Sequence, residues 1–341
     1  MNLERLRAIT DRYRNLTVAV LGDFCLDRYL EIDPALGETS IETGLPVHNV
    51  VRVRAQPGAA GTVLNNLVAL GVGRLLPVGF CGDDGEGFEL RRAMGRLAGV
   101  ELNCFLQTPE RQTFTYCKPL VCEPGRLPKE LNRLDSKNWT PTPPQVEQHL
   151  IDALGRIAPE LHALIVMDQV DVAETGAVTR RVLEALGAVA REHPRLAILA
   201  DSRRSLRDYP AVLLKMNRAE LGMLRGGVGG DTIKTVAEAA RELSRRHGRE
   251  VFVTLAEDGM LAASPDGAWV HRPALAVRGP IDIVGAGDSV TANLAVALAA
   301  GATLEEAIEL ASAAASVVIH QLGTTGTATV AQITEVLGLG P

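Results

Sequence analysis

The residues best suited to chemistry lie late in the chain, in Gly279-Pro280-Ile281-Asp282-Ile283-Val284-Gly285-Ala286-Gly287-Asp288-Ser289. An apolar run over 281–284 predicts an extended approach, and the Ala-, Leu- and Val-rich stretch 286–300 predicts a helix. Gly285, Ala286 and Gly287 therefore fall at a helix N-terminus. There the first backbone N–H groups lack intrahelical acceptors and the macrodipole is positive, so an anion is favoured. Side chains no larger than a methyl let a phosphate approach that backbone closely. Asp288 falls in the first turn, where its carboxylate can reach a hydroxyl lying in line with the held phosphate. A base beside an anion hole is the minimum apparatus for phosphoryl transfer. The same tetrapeptide also fits an ordinary loop-to-helix junction with a dipole-compensating Asp. Two other phosphate-binding patterns do not apply: Val290 stands where the dinucleotide fingerprint needs a third glycine, and no G-x-x-x-x-G-K-[ST] occurs.

These groups need a scaffold. Short apolar runs at 17–22, 75–80, 163–167, 196–200 and 251–255 predict central strands, and they alternate with helix-like stretches at 62–70, 87–97, 144–157, 174–193 and 231–246. The alternation predicts a doubly wound α/β domain whose mainly parallel sheet is covered on both faces. Ligands in such sheets bind beyond the carboxyl ends of the strands. Asp23, Asp168, Asp201 and Thr254 all fall at or just after such ends, so one crevice can collect them. Two stretches, 24–56 and 104–135, break the alternation with β-type residues, prolines and little helical periodicity. The glycine-rich run 226–230 reads as a flexible loop.

Composition narrows the function classes. A chain of 341 residues, 46% of them hydrophobic, can bury a sizeable core. A net charge of −6 and a pI of about 5.7 argue against nucleic acid as the main partner. Arg203-Arg204 and Arg245-Arg246 read as solvated helix faces, with binding of an anionic small molecule as the alternative. The N-terminus alternates charged and apolar residues, and no apolar run approaches the length of a bilayer span, which predicts no signal peptide, no membrane partner and a cytoplasmic location. The five cysteines (Cys25, Cys81, Cys104, Cys117, Cys122) are odd in number and lack a C-x-x-C pair, which fits reduced thiols better than disulfides or zinc.

Asp282-x-x-Gly285-Ala286-Gly287-Asp288 resembles the C-terminal signature of the ribokinase-like, or phosphofructokinase-B, sugar kinases. Four further segments resemble that family in order. They are Gly22-Asp23-x-x-x-Asp27, Pro57-Gly58-Ala59-Ala60-Gly61 followed by Asn66 and Gly71, Asn217-x-x-Glu220, and Val253-Thr254-Leu255-Ala256-Glu257-Asp258-Gly259. Within the family, the stretch 22–29 is most similar to kinases that phosphorylate heptose 7-phosphate at the anomeric carbon.

The resemblance implies a single ribokinase-like three-layer α/β/α domain over 1–341, with 24–56 and 104–135 forming a small β-lid that often doubles as a homodimer surface. It implies transfer of the γ-phosphoryl group of ATP to a hydroxyl of a sugar or sugar phosphate. Asp288 would be the base and the N–H groups of Gly285, Ala286 and Gly287 the anion hole. Asn217 and Glu220 would hold Mg²⁺ through water, although three residues apart at a helix start they also fit a capping box. Thr254, Ala256 and Gly259 would lie on the nucleotide side. Asp27 matches the family's sugar-binding acid, with Asp23, Gly58, Ala59, Asn66 and Asp168 around it. Asp23 can instead cap a strand end, and Asn66 can bond locally. Arg111 and Lys118 can meet an anionic group of the acceptor or remain solvated lid charges. Asp282, with the late loop 321–327, implies a K⁺ site.

The chain departs from the family at Ala59 and Ala256, where glycine is usual, and at Thr62, where Asn is common. The catalytic end is intact and the acceptor end altered, which suits an unusual acceptor. A kinase of nucleosides or other non-sugar alcohols, and a non-catalytic sugar- or nucleotide-binding protein, remain alternatives. Any nucleotidyltransferase partner is expected on a separate chain.

Overall fold

The computed structural model describes residues 1–227, 232–323 and 325–339. Its centre is a sheet of nine strands in the spatial order Trp269–Arg272, Met260–Ala263, Val251–Thr254, Leu213–Asn217, Ala197–Ser202, Ala163–Asp168, Thr17–Gly22, Arg74–Gly82 and Phe105–Thr108. The first three strands of that order pair antiparallel and all the others parallel, with Val18 opposite Ala163 on one side and Leu75 on the other. Ala163–Asp168 is buried throughout, as the unbroken apolar run of a central parallel strand demands. One face packs on the helices Ala60–Ala69, Ala286–Ala299 and Leu304–Val318, and the other on Pro144–Ile157, Arg180–Glu192 and Ile233–His247. The fold is thus the expected three-layer α/β/α domain.

A second sheet stands off this body. It runs Leu134–Ser136, Phe114–Val121, Phe24–Ile32, Val50–Ala59, with Lys129–Glu130 added beside Phe114–Val121. Phe24–Ile32 begins two residues after the central strand Thr17–Gly22 ends, so the lid is a direct extension of the crevice. Arg28 ties it down to Glu86 and Glu89 on the helix Gly85–Met94.

Several boundaries differ from expectation. The lid includes residues up to Ala59 and starts again only at Phe114, because Phe105–Thr108 joins the main sheet beside Arg74–Gly82. The helix expected from 174 begins at Arg180, capped by Thr179, because Gly176 and Ala177 are held in the preceding loop by Asp23. The run 281–284 is irregular rather than a strand. Part of the glycine-rich loop 226–230 and the start of the helix expected over 231–246 lie outside the described residues. All five cysteines are free. Among the described residues no helix is long and apolar enough to cross a membrane.

Candidate active site

The helix Ala286–Ala299 starts from Gly285, which sits in the left-handed region at φ 82°. A Cβ there would lie 2.7 Å from Thr325 Cγ2, so both conformation and space require glycine. Gly287 faces inward: a Cβ on it would lie 3.3 Å from the Lys215 ammonium. Lys215 comes from the central strand Leu213–Asn217 and is only 6% exposed. Its Nζ donates to Asp201 Oδ2 at 2.7 Å, and Thr291 Oγ1, from the second turn of the anion-hole helix, donates to the same oxygen at 2.9 Å. Burial pulls the Lys215 ammonium down, but Asp201, with Asp288 and Glu220 further off, holds it above its ordinary value. A fixed positive charge therefore lies directly beneath the small-residue turn.

Asp288 is partly open to the crevice, and its carboxyl is pushed up to about 7. Burial is the main cause and the Asp201 charge the next, with Lys215 and Arg203 acting against them. The Asp27 charge is also felt at Asp288, which links the lid to the helix start across the crevice. A carboxyl poised near neutrality is suited to accept a proton from a hydroxyl.

Asp27 is buried beneath the lid. Lys118 Nζ donates to its Oδ1 at 3.1 Å and lies 3.4 Å from the Tyr29 hydroxyl, with the ammonium 4.9 Å from the centre of the Tyr29 ring. Burial lowers the Lys118 pKa and Asp27 raises it, with a net upward shift. Gly58 must be glycine, since a Cβ would fall 2.6 Å from Asp27 Oδ2. Ala59 beside it has φ 53° and ψ −117°, a region that side chains avoid.

Four residues expected at the acceptor make hydrogen bonds to the scaffold, while Asp168 Oδ1 and Asn66 Oδ1 are buried without a partner among the described residues. Asp23 accepts the backbone N–H groups of Gln169, Val170 and Ala177, at 2.7, 3.2 and 2.7 Å, and nails down the loop after Ala163–Asp168. Burial and the neighbouring Asp168 push its carboxyl up to about 6. Asp168 Oδ2 accepts Ser202 Oγ, Arg204 and the Tyr209 hydroxyl. Arg111 is buried and donates to the carbonyls of Thr140, Pro141 and Thr175 and to the Thr140 hydroxyl, away from the lid strands. Asn66 is fully buried and turns its amide back onto the Thr62 carbonyl.

On the nucleotide side, Asn217 and Glu220 form a capping box, with Asn217 Oδ1 accepting Glu220 N and Glu220 Oε2 accepting Asn217 N. Glu220 Oε1 and the Asn217 amide nitrogen have no hydrogen-bond partner among the described residues. Burial raises the Glu220 carboxyl. No cluster of three or more His, Cys, Asp or Glu among the described residues is arranged around a metal ion. The pair nevertheless fits Mg²⁺, which keeps most of its waters and takes one or two protein carboxylates beside substrate phosphates. Thr254 ends a central strand, Ala256 follows at φ 52°, and Gly259 must be glycine because a Cβ would meet the Arg272 carbonyl at 2.0 Å. Asp282 accepts Val284 N and Gly323 N, so its two oxygens bridge the approach loop and the late loop.

Sequence reasoning missed Lys215 and read Arg203 first as a solvated helix-face charge. The signal for Lys215 was a lysine inside the buried run Leu213-Leu214-Lys215-Met216, where an unpaired charge would be costly. Arg203 is not on a helix face: it follows the strand Ala197–Ser202, and its charge acts on both Asp288 and Glu220.

Comparison with known proteins bears on the family and the fold. Residues 25–330 match the profile of the pfkB family carbohydrate kinases. The bifunctional protein HldE of Paramagnetospirillum magneticum is 31% identical over 319 residues, covering 92% of this chain and 62% of that protein. The protein of the same name from Hyphomonas neptunium is 33% identical over 324 residues, 94% of this chain and 63% of that one. The chain thus spans about three fifths of the length of these relatives. In fold, it superposes on Arabidopsis thaliana ribokinase complexed with ribose and ATP with a TM-score of 0.65 at 18% identity, covering 95% of this chain and 98% of that one. For Escherichia coli phosphofructokinase-2 in complex with substrates and products the TM-score is 0.71 at 17% identity, with the same coverage.

Proposed function

The chain belongs to the pfkB family of carbohydrate kinases, and within it we propose that this protein moves the γ-phosphoryl group of ATP to a hydroxyl of a sugar or sugar phosphate, with Asp288 as the base. The observation that carries this reading is the meeting of three things at one helix start. They are a carboxyl raised to about 7, a backbone anion hole that only small residues allow, and a buried lysine beneath it.

The acceptor hydroxyl donates to Asp288 and attacks the γ-phosphorus in line. Its proton passes to the carboxylate as the new P–O bond forms and the bond to the ADP oxygen breaks. Charge on the transferring oxygens is met by the N–H groups around Gly285, Ala286 and Gly287 and by the Lys215 ammonium, both in place before reaction. Asp201, itself bonded by the Thr291 hydroxyl, holds that ammonium. Asp27, with Lys118, orients the acceptor. Mg²⁺, held through water by Asn217 and Glu220, would neutralise phosphate charge, and K⁺ would sit near Asp282 and the late loop.

Heptose 7-phosphate is the acceptor we favour. The stretch 22–29 resembles heptose-phosphate kinases, and Lys118 and Arg203 would supply cations for the phosphate of such an acceptor. The lid would also form a homodimer. Its edge strand Val50–Ala59 is paired on one side only among the described residues, and Val50, Val51 and Val53 are exposed on it.

The test is ATP consumption with Mg²⁺, with and without K⁺, across hexoses, heptoses, their phosphates and nucleosides. Turnover with heptose 7-phosphate well above the other acceptors supports the full reading. Preference for a nucleoside, or ATP binding without turnover on any acceptor, overturns it.

A further inference from the structure

The anion hole is approached by a segment that burial does not hold. Residues 273–284 form neither helix nor strand, and Ile281, Ile283 and Val284 are 45%, 73% and 53% exposed. Hydrogen bonds must therefore fix it, and they converge on the end of the helix Leu304–Val318 and the residues just after it. Asp282 N donates to the Ile319 carbonyl at 2.8 Å, Gly323 N donates to Asp282 Oδ2 at 3.4 Å, and Arg278 N donates to His320 Nε2 at 2.9 Å. The other ring nitrogen, Nδ1, lies 2.6 Å from the Ser316 carbonyl oxygen.

Both partners of His320 have fixed roles. A backbone N–H only donates, so Nε2 must be bare. A carbonyl only accepts, so Nδ1 must carry the proton. The imidazole is thereby a two-ended strut between the last turn of Leu304–Val318 and the backbone seven residues before Gly285. A side chain that only donates would set two donors against each other at Arg278, and a short side chain would leave both ends open.

We propose that His320, as the neutral Nδ1–H tautomer, is a positioning residue for phosphoryl transfer: it latches the 278–284 segment so that the N–H groups of Gly285–Gly287 stay aimed at the transferring phosphate. The latch rests on the kinase reading for its consequence, but not for its existence. Misplacement of aligned groups by about 1 Å costs on the order of 10²-fold in rate. The Asp282 bonds and the Thr325 contact remain when His320 is changed, so a loss of roughly 10-fold is expected.

The experiment compares His320→Ala, His320→Lys and His320→Gln in the full chain. Each is assayed for kcat and for both KM values, for thermal midpoint, and for amide hydrogen exchange at Arg278. Ala and Lys should expose the Arg278 amide and lower kcat about 10-fold, with acceptor KM and thermal midpoint near wild type. Gln, which keeps one acceptor and one donor, should recover most of both. The latch is overturned if Arg278 exchanges as in wild type in the Ala variant. It is overturned as well if Gln fares no better than Lys, or if losses in kcat merely track losses in thermal midpoint. If wild type shows no kinase turnover, the kinase reading fails while the exchange comparison still decides the latch.

Discussion

The two ends of the crevice are built differently. The phosphoryl end draws on the body of the domain: Asp201 and Lys215 from central strands and Thr291 from a helix packed across them are locked by short hydrogen bonds in a buried setting, and Asp288 stands at the start of that same helix. The acceptor end hangs on the lid, where Asp27, Tyr29 and Lys118 sit on two strands of a small sheet set apart from the main one. Charge handling needs fixed dipoles and low dielectric, which the core provides. Recognition of a polyol needs exchangeable hydrogen-bonding groups on an element that can open. The expectation that follows is that mutations at the first end destroy turnover, whereas those at the second change the acceptor.

The largest effect should come from Asp288→Asn, which keeps shape and removes the base: turnover should fall ~10²–10⁴-fold with ATP affinity retained, as measured by single-turnover kinetics and calorimetry. Lys215→Met should follow, with kcat down ~10²-fold by analogy with removal of one anion-hole donor. Wild-type kcat in that variant would show that the lysine only shields Asp201. Asp27→Asn should instead raise the acceptor KM ~10-fold, the order expected for a charged hydrogen bond, and leave the ATP KM unchanged. A fall in kcat with unaltered acceptor KM would erase the proposed division between the two ends.

The smallest effects concern the two alanines at positive φ, one at each end. Ala59 and Ala256 hold φ 53° and 52° where the family resemblance leads one to expect glycine. Each stores strain of about 1 kcal/mol or more, opposed by the extra chain entropy of glycine, about 0.5–1 kcal/mol. Ala59, with ψ −117°, lies outside the left-handed helical region as well. Ala59→Gly, at a φ and ψ that side chains avoid, should therefore raise the urea midpoint. A drop for Ala59→Gly would mean that its methyl packs well enough to outweigh the strain.

The legibility of the sequence follows the same division. The central strands and the Gly285–Asp288 helix start were readable because burial on both faces writes continuous apolar runs, and because small residues before an acid have a local cause. Lid limits were not readable, since Phe105–Thr108 and Phe114–Val121 carry the same β-type residues and only the three-dimensional pairing separates them. Among site residues, Asp27 and Asp288 are the ones on which the proposed function rests. Asp23, Asp168, Asn66 and Arg111 all bond to the scaffold, which was not readable because a polar residue can bind either a ligand or a neighbouring loop, and its own sequence does not distinguish them. Asp23 is decided by Gly176, whose missing Cβ lets three distant N–H groups close on the carboxylate. Lys215 was hidden for the opposite reason: its partner Asp201 is fourteen residues earlier, on the neighbouring strand.

The proton-accepting role of Asp288 is tested most directly by the pH dependence of kcat/KM for wild type and Asp288→Asn. Because the carboxyl is raised to about 7, only its deprotonated form can accept the hydroxyl proton. The wild-type value should climb with unit slope from pH 5.5 and level off above about pH 7, while the variant stays low and lacks that limb. A flat wild-type profile, or the same rising limb persisting in the variant, would contradict Asp288 as the base.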